Sequence, residues 1–395
     1  MINLQKVGVL SLFTLMILIL LTGAAFAEAQ INQDELIDEQ IRELDLEQLN
    51  QFVKEIDDEI LSYFPELSLS NLVDDIRRGE LNLNVSTILS GMAKLMFKEI
   101  FANGAILAKL VVLAVICAIL HTLLEAFDQG STAKLAYAIA YLVLVAVAIG
   151  SFTLAMAIGK EAIERMVTFM QILMPILLTL LTAMGGVASA ALLHPVLILS
   201  LSLLGTIITT VVLPLIYLSA VLSIVNQISS RLQVSRLISL FKQISLGVLG
   251  LCLTVFVGVI SIQGVAGAVA DGVTIRTAKF MTGAFIPIVG KMFSDVLEAV
   301  IGTSILLKNA VGIIGVLIIF GLTLIPAIKI IAISFIYRLA AALIQPIDDS
   351  GVGECLQSMA GSLIMVFAAV SAVGVMFFMA VTIIVSAGNF TVMLR

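Results

Sequence analysis

The stretch Phe285 to Ser304, FIPIVGKMFSDVLEAVIGTS, carries Lys291, Asp295 and Glu298 at i, i+4 and i+7. On a helix the three share one face, while Met292, Phe293, Val296, Leu297, Val300 and Ile301 cover the rest. One cation and two carboxylates in line can hold water, pass an ion or neutralise one another. Lys291, Asp295 and Glu298 are therefore a candidate polar pathway face, read as a pathway and not as a catalyst.

Other chemistry is sparse. His121 and His194 are the only histidines, too few for a metal centre, and each reads as an interhelical hydrogen-bonding residue. Cys117, Cys252 and Cys355 follow no metal or disulfide spacing and read as small apolar residues. The chain lacks the phosphate-binding GxxxxGK[ST] pattern, the zinc HExxH pattern and the GxSxG elbow, so it reads as no enzyme, with no catalytic residue and no cofactor. Asp348, Asp349 and Glu354 cluster in DDSGVGEC, but without the ligand spacing of a calcium loop; a Gly- and Asp-rich turn is the reading there.

The elements that must position the stripe are set by the solvent the chain demands. It is 61% hydrophobic and 12% charged, with a mean hydropathy of +1.17. That is about half the charge of an ordinary soluble domain. Most of its apolar runs reach the ~20 residues that cross a bilayer. The expected fold is all-α: a polytopic integral membrane helical bundle with an internal duplication, preceded by a signal peptide and a small acidic α-helical extracytoplasmic segment.

Residues 1–27 place Lys6 before an apolar run and end in AFA, a signal-peptide pattern with cleavage after Ala27; an uncleaved first membrane helix is the other reading. Residues 28–100 form the extracytoplasmic segment, and between Glu28 and Glu80 it holds sixteen acidic residues against four basic ones. Ile37, Ile41, Leu44, Phe52, Ile56 and Ile60 recur at helical spacing there. The block is either a solvated face or a docking module for basic partners. Its last helix, STILSGMAKLMFKEIF, gathers Leu89, Met92, Leu95 and Met96 on one side and is expected to lie in the headgroup region.

Beyond it the sequence divides into first membrane helices at 101–165, a repeat at 166–270 and a second at 271–395. Expected spans are Ala105 to Leu124, Leu135 to Ile158, Met166 to Met184, Ala190 to Val212, Leu213 to Ser229, Leu246 to Ala268 and about Met359 to Ser386. The 65 residues from Met166 to Ser230 carry no charge and are expected to fold back at Gly185-Gly186 and near Leu213-Pro214. Arg231, Arg236 and Lys242 form a candidate cytoplasmic basic cluster. Five spans from an outside leader bring the chain to Arg231 on the inner side. Joining Ala190 to Ser229 alone into one kinked helix would put it outside. Lys308, Lys329 and Arg338 lie near expected span ends and can extend to the interface.

The duplication rests on spacing. Pro175 and Pro214 are 39 residues apart, as are Pro287 and Pro326, and FMQILMPIL resembles FMTGAFIPIV. These four prolines are candidate structural hinges. The positions equivalent to the stripe in the first copy, Thr179, Ala183 and Gly186, are uncharged. A charge at mid-bilayer costs ~2.5 to 3.5 kcal/mol, so the stripe must meet water or pair. Two arrangements satisfy this: a spanning, re-entrant or buried helix whose stripe lines a wet cavity, or a helix lying flat with the stripe in water.

The signal peptide, acidic leader, paired proline-centred segments and FIPIVGKMFSDVLEAVIGTS, most specifically Pro287-Ile-Val-Gly290 and Ser294-Asp295, resemble the stage III sporulation protein AE family of endospore-forming bacteria. The resemblance implies a multipass protein of the mother-cell membrane around the forespore. It further implies partners from the stage III A operon, among them a cytoplasmic ATPase and ring-forming membrane proteins, and a forespore membrane partner, in a channel that sustains the forespore. It brings no catalytic residues. Three functions are open at this point: a permease-like conduit for small molecules within that complex, a non-conducting assembly scaffold for it, and a stand-alone secondary transporter.

Overall fold

The structure is a computed structural model that describes residues 52, 54, 85–126, 131–228, 234–285, 289–346 and 351–393. The expected signal peptide, nearly all of the acidic leader, Arg231, Pro287, Asp348 and Asp349 lie outside the described residues. Every described element is helical: α1 Val85–Ala102, α2 Gly104–Ala126, α3 Ser131–Ala183, α4 Val187–Ile207, a π segment Ile208–Val212, α5 Leu213–Ile228, α6 Ser235–Phe285, α7 Val289–Ile344 and α8 Val352–Met393. With α4, the π segment and α5 counted as one rod, six of these are long and apolar enough to cross a membrane.

Two expected breaks are absent. Leu135 to Ile158 and Met166 to Met184 belong to one helix, α3, whose 53 residues make it ~80 Å long. The charges between them, Lys160, Glu161, Glu164 and Arg165, are good helix formers, and Lys160 lies 3.7 Å from Glu164 across one exposed turn. Charge there marks a polar surface on a continuous helix.

The second absent break is at Pro214. A proline has no N–H for the carbonyl four residues back, and its ring crowds that carbonyl. Here the preceding turn widens instead of opening: the Leu213 amide donates to Ile208 O, five residues back. Thr209 Oγ1 donates to Gly205 O at 2.8 Å and Thr210 Oγ1 to Thr206 O at 2.6 Å, which supports the local carbonyls. Val187 to Ile228 is thus one rod with a wide turn in it, the arrangement that alone would reverse the basic cluster. Because α3 also merges two spans, the count of crossings before Arg231 falls from five to three, and its parity is unchanged.

The fold-back at Gly185-Gly186 is present. Gly185 has φ 88°, the left-handed region, and its amide donates to Thr182 O while that of Gly186 donates to Leu181 O. The equivalents of this turn in the expected second repeat, residues 296–298, are helical, and the expected boundaries 165/166 and 270/271 fall inside α3 and α6. Pro214 follows the π segment, whereas its counterpart Pro326 lies inside continuous α7.

α7 and α8 form the most extensive pairing and the centre of the bundle, with about half of their apolar windows buried against 22% for α2. Tyr337 of α7 is fully buried and donates to Ala148 O of α3 at 2.6 Å, with Ser151 Oγ also at 2.6 Å. Ser334 Oγ donates to Ala360 O, and Ser358 Oγ to Ser223 Oγ. Such bonds join helices where apolar contact alone gives little preference over lipid. α1 packs on α7 through the buried Leu95, with Met92 and Met96 partly buried, so it is part of the bundle; Leu89 is exposed. From the leader, the Phe52 ring stacks on the buried Phe169 of α3 with centroids 5.5 Å apart.

Candidate functional site

The stripe residues Lys291, Asp295 and Glu298 occupy the first turns of α7, so their spacing is helical. Their side chains lie outside the described residues. A helix lying flat over Phe285 to Ser304 would need a break before the next span, and α7 runs without one from Val289 to Ile344. The same face then continues inward. Asn309 is 18 residues, five full turns, beyond Lys291 and so in line with it. Asn309 Oδ1 is buried with no hydrogen-bond partner.

One residue before it stands Lys308, which is fully buried. Its Nζ donates to Val385 O of α8 at 2.8 Å. A side chain at position 388 would occupy the space of this ammonium; glycine leaves it free. The sequence placed Lys308 at a span end with its head in the interface, and the structure corrects this: the ammonium is held inside, against the α8 backbone. Lys329, given the same expectation, is half-buried, about four turns before the end of α7. Arg338 is exposed near the α7 end, as an interfacial arginine would be.

A buried charge of the opposite sign comes from α6. α4 begins at Gly186, which has no side chain to cap the helix. Its first amides cannot be left bare inside a bundle. Asp271, 1% exposed, supplies both acceptors: Ala188 N donates to Oδ1 at 2.7 Å and Ser189 N to Oδ2 at 3.0 Å. A carboxylate at a helix N-terminus also meets the positive end of the helix dipole. The absence of a Cβ at Gly267 lets α6 approach Ser189 closely enough for this, and Ser189 Oγ is left buried without a partner. Leu181 contacts the Cβ positions of both Gly186 and Gly388, so the two buried charges flank the same α3–α4 turn.

The remaining expected residues scatter. Pro175 and Pro326 lie inside continuous helices, and Pro214 follows the π segment. A cavity of about 100 Å³ at half-height is lined by Glu161 and Arg165 of α3 and by Pro326 and Lys329 of α7. Another, of about 210 Å³, lies between Gln171 and Pro175 on one side and His194 on the other. His194 is exposed and forms no hydrogen bond among the described residues, unlike the interhelical role expected of it. The His121 ring is 5.7 Å from that of Tyr137. The three cysteines are free and buried. Of the basic cluster, Arg236 is exposed and Lys242 half-buried at the mouth of a third cavity. Among the described residues no three His, Cys, Asp or Glu side chains stand close enough to hold a metal.

The sequence reading missed Asp271, Ser189, Lys308 and Asn309 as a group. The available signal was Asp271 itself, an acidic residue within an otherwise apolar α6 stretch and followed by a helix-tolerant run rather than a loop.

The family model described as stage III sporulation protein AE matches residues 67–388. Stage III sporulation protein AE of Bacillus subtilis (strain 168) is 41% identical over 362 residues, covering 92% of this chain and 90% of that protein. No solved structure matches the chain.

Proposed function

Because the chain belongs to the stage III sporulation protein AE family, we propose that it is a multipass component of a mother-cell-to-forespore channel complex required for sporulation, and that its bundle is the permease-like conduit for small molecules. It would lie in the mother-cell membrane around the forespore. The other proteins of the stage III A operon, a cytoplasmic ATPase and ring-forming membrane proteins among them, would assemble on it, with a forespore membrane partner opposite. The family and the membrane-spanning helices are established; the conduit is the proposed step.

The observation that supports it is a polar face at the start of α7 with a buried, unpartnered polar atom in line with it deeper in the bundle. Asn309 lies on the face of Lys291, Asp295 and Glu298, beyond Gly302 and Ile305, and Asn309 Oδ1 and Ser189 Oγ have no protein partner. Buried polar atoms without protein partners call for water, and a file of water is what a conduit for polar solutes requires. Lys308, one residue before Asn309, and Asp271, which accepts from the Ser189 amide, set a cation near one of these atoms and an anion near the other.

The test combines Asp295→Asn, Glu298→Gln and Asn309→Leu while membrane level and recruitment of partner proteins are verified. The conduit predicts loss of heat-resistant spores with the complex intact. Normal sporulation in the triple variant would remove the conduit and leave the non-conducting scaffold. That second reading draws on one contact, Phe52 of the acidic leader against Phe169, which ties the leader to the bundle and would make it a fixed docking arm.

A further inference from the structure

At the end of the bundle where α6 begins, α7 ends and α8 begins, a cleft of about 620 Å³ is lined by Lys242, Arg338, Gln345, Glu354, Gln357 and Ser358. Lys242 and Arg338 come from different helices and face the same space. Neither makes an ion pair or a hydrogen bond among the described residues, whereas Glu354 is engaged in an interaction of its own. Glu354 lines the same cleft, but among the described residues it is paired with neither cation, and two cations facing one space repel one another unless an anion joins them. A side chain at Gly361 would meet nothing within 4 Å, so the wall there is open.

The order of groups along the helices identifies the anion. Lys242 is seven residues from the start of α6 at Ser235 and Arg338 six from the end of α7 at Ile344, so both lie ~10 Å inside the same end of the bundle. One turn deeper on the same two faces stand Leu246, four residues after Lys242, and Phe335, three before Arg338; they are 50% and 42% exposed. Cations above and exposed apolar groups below match an amphiphile, with its phosphate in the cleft and its acyl chains on Leu246 and Phe335. An acidic peptide or a free ion has no use for the deeper apolar step. The planar fork of Arg338 suits a phosphate diester, and Lys242 adds a point charge.

We propose that this cleft is a binding site for a phosphate group carried by an anionic phospholipid headgroup, held by Lys242 and Arg338. Basic pockets between membrane helices recognise such headgroups by the same chemistry. The site is independent of any conducting path along α7.

The test uses the full-length chain in phosphatidylcholine nanodiscs doped with phosphatidylglycerol, followed by native mass spectrometry of the retained lipid. Wild type should retain phosphatidylglycerol in preference to phosphatidylcholine, and Lys242→Gln with Arg338→Gln should weaken that retention roughly thirty-fold, from the loss of two surface cations. Arg236→Gln, outside the cleft, should retain it, and Arg338→Lys should keep more of it than Arg338→Gln, a comparison that stands even where the double variant fails to fold. Equal retention of the two lipids by wild type, or an equal loss in Arg236→Gln, overturns the site. Inorganic phosphate is added to lipid-free protein in a separate arm: thermal stabilisation equal to that by phosphatidylglycerol overturns the headgroup as the source of the phosphate.

Discussion

The ammonium of Lys308 is held by Val385 O and by the space that Gly388 leaves, so the two positions form one unit. Gly388→Ala puts a methyl group where the ammonium lies and should destabilise the bundle by ~1–3 kcal/mol, the usual range for overpacking. The same change made on Lys308→Ala should cost less, because the obstacle is gone; thermal unfolding of the detergent-purified variants measures this coupling. Equal costs in the two backgrounds would mean that Gly388 and Lys308 are independent. Asp271 allows a graded version of the same argument. Asp271→Asn keeps one oxygen acceptor for the α4 amides, and Asp271→Ala keeps none, for a loss of about 0.5–2 kcal/mol typical of a removed helix cap. Unfolding temperatures should rank wild type, then Asn, then Ala; an Ala variant as stable as wild type would show that water or another group caps α4. None of this was legible from hydropathy, because a lysine or aspartate in an apolar run is scored the same whether it extends to the interface or bonds a backbone inside. Partners decide which occurs, and they lie on helices 77 and 82 residues away in sequence.

The π segment between α4 and α5 is the element whose sequence logic is most local. Pro214 removes one amide, and a single wide turn absorbs the consequence without ending the helix. A wide turn is equivalent to one extra residue, so deleting Thr210 should restore an ordinary α-helix and leave both flanking faces in register. Below the turn Gly205 would keep its place against Val167, and above it Tyr217 would keep its ring 6.0 Å from Phe152. Deleting Leu154 from α3, where no wide turn exists, rotates one half of the helix against the other by ~100°. The Thr210 deletion should therefore persist at near wild-type level in membranes and resist trypsin, while the Leu154 deletion should be degraded. If both are lost alike, the π turn is not a removable insertion. A Thr210 deletion that is stable yet fails to sporulate would separate a role of the wide turn in function from its role in folding. The sequence signalled a change at Leu213-Pro214, read as a fold-back between two spans; the error came from treating proline as a break when the wider turn, with Thr209 and Thr210 bonding the carbonyls below, was available.

For the whole molecule, helical class, membrane solvent and the Gly185-Gly186 fold-back were readable because each rests on composition or on one residue's backbone freedom. The number of rods was not, because the charged turn at Lys160 to Arg165 and the proline at 214 both resemble boundaries, and only packing against α7, α8 and α6 reveals continuity. The two errors cancel in sidedness. With the leader outside and each candidate span crossing, α2 would enter, α3 exit, and α4 to α5 enter again, which would put Arg236 and Lys242 on the inner side, in line with the positive-inside bias. On that path α6 would exit and α7 enter, which would bring the α7–α8 junction to the inner end as well; Lys242 and the junction share one cleft, so the two fall at the same end of the bundle. Single cysteines at Ala183, Ser235 and Gln345, in a chain whose three native cysteines are replaced, test this with a membrane-impermeant maleimide. Ala183→Cys should label from outside on intact protoplasts, and Ser235→Cys and Gln345→Cys only after permeabilisation. Labelling of Ser235→Cys and Gln345→Cys from opposite sides would contradict the antiparallel run of α6 and α7. All three from one side would require α4 to α5 to re-enter instead of crossing, and with it the inner assignment of the basic cluster would fail.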